Sequence, residues 1–192
     1  MARRNQHSLE EIKNMILIAA ETIIIHEGYS ALTVRRIAMN IGYTVASIYM
    51  AFANMNELKQ HINAKTLDDL VRHLVCVSNH SPKQQLIQLA CLYVRFAQQN
   101  FNRWLLLFSH ENKLSTDYQE IIEIFATKFA LLVPKCSANQ NEQAARSLWY
   151  GVHGICVLSL SKEMEESSLN HAENAVKLLV ENFIGGWTDA VH

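Results

Sequence analysis

Apolar residues recur along this chain at steps of three and four, and no stretch alternates with period two. The pattern predicts helices throughout, an all-α fold of about nine helices. The first helix is predicted from Ser8, where Ser8-Leu-Glu-Glu11 reads as a capping box. Its inward stripe is Leu9, Ile12, Ile16, Ala19 and Ile23, and Gly28 is expected to close it in a left-handed conformation. Thr33 caps a short second helix with Val34, Ile37 and Ala38 inward; Asn40-Ile-Gly42 breaks it, with Gly42 at positive φ. Thr44 caps a third short helix carrying Val45, Ile48, Tyr49 and Phe52. Asn54-Met-Asn-Glu57 opens a fourth, with Leu58, Ile62, Leu70 and Leu74 inward, predicted to run roughly 30 Å to near Cys76. Ser81-Pro82 starts a helix to about Gln99. Further helices are predicted near 101–110, 116–132, 141–161 and 167–187.

Two short helices joined by a glycine turn can place one helix in a DNA major groove while the other braces across the backbone. Thr33 and Thr44 put hydroxyls and unbonded backbone N–H groups at helix starts, where phosphate oxygens bind. Spacing alone fits an ordinary helical hairpin equally well. The residues shift that balance. Gly28, Thr33, Arg35, Ile37-Ala38, Gly42, Thr44, Ser47, Tyr49, Phe52, Asn54 and Glu57-Leu58 follow Ile16 and Ala19-Ala20 at characteristic intervals. Over residues 10–60 the chain closely resembles the DNA-binding domain of the TetR family of bacterial regulators.

The resemblance implies a three-helix reading head (residues 1–53) and a helical ligand-binding and dimerisation body (54–192). It implies a ligand-responsive homodimer, a repressor released from a near-palindromic double-stranded DNA operator by a small-molecule effector. Thr33, Arg35, Thr44, Ser47 and Tyr49 are the implied DNA contacts, and Arg36, Val45, Ala46, Met50 and Asn54 complete the expected surface. Met55 stands where the family usually has a lysine. Val45, Ala46, Met50 and Ala51 give the third helix a surface suited to thymine methyl groups more than to guanine. Base readout is then expected from Ser47, Arg35 and DNA shape. Arg3 and Arg4 are candidates for an arm in the adjacent minor groove, with a solubilising tail as the equal alternative.

From Leu148 to Leu160 the chain has no Asp, Glu, Lys or Arg. A helix apolar on all sides must be covered on all sides, and a partner subunit is the simplest cover. Gly151 and Gly154 permit close helix approach. Paired with the last helix, this segment predicts an isologous four-helix interface through Trp149, Val152, Ile155, Leu169, Val176, Leu179 and Phe183. Trp149-x3-His153-Gly154, with Tyr93-x-Arg95-Phe96-Ala97 and residues 104–108, resembles a TetR subgroup named for its Trp-His-Gly pattern. Trp104, Phe108, Phe125, Phe129, Trp149 and His153 are expected near a mostly apolar pocket. Core packing is the competing reading for each of them.

Composition and charge alter this picture at the margins. The 192 residues are 49% apolar, enough for one compact unit or two small domains. Net charge is −1, and residues 1–60 hold six basic against five acidic side chains, which predicts a shallow salt dependence of DNA binding. Cys76, Cys91, Cys136 and Cys156 are scattered, the pattern of reduced thiols. Glu10, Glu11 and Lys13 interrupt any signal-peptide stretch and no apolar run is long enough for a bilayer, so a cytoplasmic protein is expected. No phosphate loop, H-E-x-x-H or nucleophile motif points to an enzyme. No cofactor or metal is expected either, His110-Glu111 reading as a solvated helix-end pair. The competing function is a regulator-like helical dimer that binds a small molecule or protein without reading DNA.

Overall fold

The computed structural model describes residues 7–76, 81–109, 118–161 and 166–191, with side chains as far as Trp187. Arg3, Arg4, His110 and Glu111 lie outside the described residues. Within these residues the chain is helical: α1 (Leu9–Glu27), α2 (Val34–Ile41), α3 (Val45–Ala51), α4 (Met55–Leu74), α5 (Pro82–Gln99), α6 (Phe101–Leu107), α7 (Gln119–Leu132), α8 (Ala138–Ser159) and α9 (Glu166–Val191). A 3-10 turn, Tyr29–Ala31, follows α1. No described helix is long and apolar enough to cross a membrane.

The chain divides into two compact units. The first, the head, holds the described residues up to Leu67 together with α6 from Asn102. Its α1 begins at the anticipated capping box: Ser8 Oγ accepts from the Glu11 N–H at 3.2 Å, and Glu11 Oε2 accepts from the Ser8 N–H at 2.6 Å. Those bonds hold the Glu11 carboxyl below its ordinary pKa. Ile16, Ala19, Ala20, Ile23 and Ile24 are buried. Leu9, expected inward, is 53% exposed, because the core starts one turn later, at Ile12 and Ile16. Gly28 does take a positive φ of 85°, but with ψ of 165°, an extended conformation rather than a left-handed helical one.

Ile37 and Ala38 of α2, Ile48 and Ala51 of α3, and Phe52 close over α1, joined by Leu58 and Ile62 of α4 and Leu106 of α6. Each large aliphatic group so buried contributes about 1.5–3 kcal/mol. The boundary expected after residue 53 therefore moves. The first half of α4 and most of α6 belong with the head, since their apolar side chains fill its core. Polar contacts reinforce this: Asn102 Nδ2 donates to the Ile25 carbonyl at 2.9 Å, and Arg103 Nε to Thr66 Oγ1 at 3.2 Å.

The second unit, the body, contains the rest of α4 with α5, α7, α8 and α9. There α7 packs along α8, and α9 along both α5 and α8. Ser81 caps α5 with Pro82 at its first position, as expected, and Gln84 completes a capping box. A matching box at Ser137 and Gln140, not anticipated, starts α8 at Ala138, three residues before the expected Asn141. Of the two α8 glycines only Gly151 serves packing inside the chain, for a Cβ there would lie 2.8 Å from Leu179 Cδ2. A Cβ at Gly154 would meet nothing within 4 Å.

Candidate nucleic-acid interface

The local chemistry of α2 and α3 sets the reading surface. Thr33 Oγ1 accepts from the Arg36 N–H at 3.3 Å, and Thr44 Oγ1 accepts from the Ser47 N–H at 3.2 Å. Between these caps Gly42 adopts the left-handed conformation, φ 71° and ψ 30°, and the Tyr43 N–H donates to the Ala38 carbonyl at 3.0 Å. A side chain at Gly42 would be strained by about 1–2 kcal/mol. The turn is thereby fixed from both sides, and α3 starts with its first N–H groups at the surface.

On this frame Thr33, Arg35, Thr44, Val45, Ala46, Tyr49, Met50 and Asn54 are all exposed, Met50 at 76% and Tyr49 at 52%. Met39, at 80%, extends the apolar part of this surface and was not singled out from sequence. Three of the expected contacts are partly engaged elsewhere. Ser47 Oγ lies 3.0 Å from Thr44 Oγ1. Asn54 Oδ1 accepts from the Glu57 N–H at 2.9 Å, leaving its amide N–H groups to donate. Arg36 is ion-paired with Glu27, which neutralises a charge counted on for DNA. Lys13 sits over the Phe52 ring and Lys65 pairs with Glu21, so two further cations of the head are engaged within it.

The residues expected near an effector do not form one cluster within either unit. Trp104 and Phe108 meet in the head with ring centroids 5.5 Å apart. In the body Phe125 and Phe129 are wholly buried, and Phe129 meets Phe183 edge to face. Both are core in this state. Trp149 and His153 join Tyr93 and Tyr118 in an aromatic group, and Tyr93 Oη lies 2.8 Å from His153 Nδ1. Tyr93, noted in the sequence as part of the subgroup pattern and not as a pocket residue, is the natural partner that fixes the imidazole. Burial pushes the His153 pKa down to about 4. An unfolded imidazole titrates near pH 6.5, so the unfolded chain binds the extra proton between the two values. Stability therefore falls as pH drops from about 6.5 towards 4. Thermal melts across that window should show the decline, and His153→Gln should flatten it.

The expected dimer residues need a correction. Trp149, Val152 and Val176 are buried within their own chain, at 3%, 0% and 0% exposure, so they face the body core and not a partner. Ile155, Leu169, Leu179 and Phe183 are half-buried. The apolar surface left open on α8 is Tyr150, Val157 and Leu158, with Leu178 on α9. On α8 this is the face one step round from the predicted one, beside the unfilled side of Gly154. Among the described residues no group of three His, Cys, Asp or Glu side chains is placed to hold a metal ion.

A capped helix-turn-helix in a helical head, followed by a separate helical body, defines the class as a helix-turn-helix transcription regulator. Residues 16–62 match the family model described as bacterial regulatory proteins of the tetR family, and residues 86–183 match the tetracyclin repressor-like C-terminal domain. The chain belongs to the TetR family, whose members are transcription regulators and not enzymes. The Trp-His-Gly subgrouping remains an expectation from residues alone.

Among similar solved structures is the TetR-family regulator PfmR from Thermus thermophilus, at 18% identity and TM-score 0.65, covering 86% of this chain and 97% of that one. A TetR-family regulator from Bordetella parapertussis 12822 is 18% identical at TM-score 0.63, with 88% and 94% covered. BioQ, solved with its natural double-stranded DNA operator, is 22% identical at TM-score 0.66, with 90% and 98% covered. These likenesses concern the fold. Comparison with curated proteins finds no match.

Proposed function

We propose that this regulator is a cytoplasmic homodimeric repressor that binds a near-palindromic operator and is released by a small-molecule effector. The observation that carries the DNA reading is the doubly capped turn at Gly42, which leaves Thr44, Ala46, Tyr49 and Met50 exposed on a rigid α3. With α3 in the major groove, its apolar side chains suit thymine methyl groups, while Arg35 and the Thr33 and Thr44 caps meet phosphates. The tyrosine hydroxyl of Tyr49 donates to a further phosphate oxygen.

Dimerisation rests on the open face of α8 and α9. Tyr150, Val157 and Leu158 are exposed one turn either side of Gly154, where a second helix can approach closely, and Leu178 is exposed on α9. An effector that prefers one arrangement of the body shifts the population of reading-head separations. Half-sites lie about 34 Å apart, so a small change spoils simultaneous docking. The polar group best placed to orient an effector in the body is His153, held neutral and tied to Tyr93.

Selection of duplexes from a random pool, followed by binding measurements, tests this reading. Arg35→Ala and Tyr49→Phe should each weaken the selected operator by about 5- to 100-fold, the range of one charged or polar contact. Failure to select any motif at low salt would favour the dimer that binds only small molecules or protein.

A further inference from the structure

Along α5, Gln84, Ile87, Gln88, Cys91, Leu92 and Arg95 follow one another at steps of three and one, so they share one face of the helix. With Lys177 of α9 they line a cavity of about 280 Å³ in the body. Tyr93, the partner of His153, points from the opposite side of α5 and is wholly buried, so this cavity is separate from the aromatic group. We infer that the α5–α9 cavity is a binding site for a small organic carboxylate with an elongated apolar body, anchored by Arg95 and Lys177.

The charged end is built in advance. Glu173 of α9 is buried, and its carboxylate accepts from Arg95 Nε at 2.6 Å and from Arg95 Nη2 at 3.2 Å. A two-point bond of this kind fixes the plane of the guanidinium. It uses two of the five N–H groups, and the Arg95 side chain is still half-exposed, so the others remain to meet a ligand. Lys177 Nζ stands 4.0 Å from Glu173 Oε2, too far for a hydrogen bond, which leaves its donors for a second acceptor. Both cations stand on the same carboxylate group, so the two oxygens of one ligand can reach both. Two cations against one buried carboxylate also leave one excess positive charge, which a monoanion matches and a phosphate dianion exceeds.

The rest of the cavity selects the body of the ligand. Ile87 and Leu92 are half-buried and Cys91 is buried, which gives an apolar wall. Burial pushes the Cys91 thiol above its ordinary pKa, so it stays uncharged and adds polarisable surface, not a competing anion. From Arg95 back to Gln84 the lining follows α5 for roughly 16 Å of helix axis. A volume of about 280 Å³ spread over that length admits one alkyl chain or one ring system, not a bulky polycycle.

The test is calorimetric titration of the free, full-length protein with phenylacetate, naphthylacetate and octanoate, each beside its primary amide and beside acetate. At least one of the three acids should bind saturably, once per chain, about tenfold or more tighter than its amide and than acetate. Lys177→Gln, a change at a half-exposed side chain, should weaken that acid about tenfold, and Lys177→Arg should keep most of its affinity. Gln88→Glu is nearly isosteric and equal in helix propensity, and it puts a carboxylate of the protein's own into the cavity. It should abolish binding of the acid without lowering the melting temperature. Failure of all three acids to bind would overturn the inference. Equal binding of acid and amide, acetate binding as tightly as the larger acids, or binding that survives both Lys177→Gln and Gln88→Glu would do the same. No DNA is present in these titrations, so the operator reading stands or falls separately.

Discussion

Ala46→Glu is expected to weaken operator binding by about 100-fold or more while leaving the melting temperature unchanged or slightly raised. Ala46 is exposed at the second position of α3, so the substitution opens no cavity in the core. A carboxylate in the first turn of a helix faces the positive end of the helix dipole and stabilises it by about 0.3–1 kcal/mol. Against DNA the sign reverses. The same carboxylate enters a groove bordered by phosphates, one negative charge per roughly 1.7 Å of duplex axis, and like charges brought together cost several kcal/mol. Arg36, three positions beyond the α2 cap, already serves Glu27 and is not free to absorb it. The check is fluorescence anisotropy on a labelled operator beside a thermal melt of the free protein. Binding within threefold of wild type would show that α3 does not enter the groove. Opposite signs in the two measurements separate recognition from folding, which a cavity-forming substitution cannot do.

At four helix starts and one turn, short-range chemistry decides and could be read directly. Ser8, Thr33, Thr44 and Ser81 cap the helices they were expected to cap, and Gly42 takes its left-handed turn. Local rules were silent wherever a choice depended on distant partners. Helical periodicity around residues 148–160 shows two apolar faces, and nothing in the spacing says which one looks inward. The structure turns Trp149, Val152 and Cys156 into the body and leaves Tyr150, Val157 and Leu158 outside. In the same way α6 follows α5 after a single residue and reads as part of the body, yet Leu106 completes the head core. Arg36 looked like a free cation until the end of α1 brought Glu27 beside it. The hydrogen bond between the Tyr43 hydroxyl and His7 Nδ1, at 2.8 Å, joins two residues that no short motif relates.

That ambiguity on α8 leads to the other large effect. Val157→Glu combined with Leu158→Glu should convert the protein to a folded monomer and weaken operator binding by about 100- to 10,000-fold. The two side chains are 54% and 88% exposed in the single chain, so charging them costs the subunit core almost nothing. In a dimer whose α8 helices meet beside Gly154, the same carboxylates would be buried against their symmetry mates. Two like charges facing each other across an apolar contact, with no partner cation, cost more than such an interface can offset. The operator effect follows from geometry. Joined heads bind the second half-site at an effective concentration set by the subunit link, and separated heads bind each half-site alone. Light scattering after size exclusion reads the mass, circular dichroism reads the helices, and anisotropy reads the operator. Val152→Glu supplies the contrast. Val152 is wholly buried in its own chain, so that substitution should unfold the body and not merely divide the dimer. A doubly charged variant that stays dimeric at micromolar concentration would move the interface off this face of α8. If it becomes monomeric yet keeps wild-type operator affinity, one head is sufficient and the paired-half-site mechanism fails.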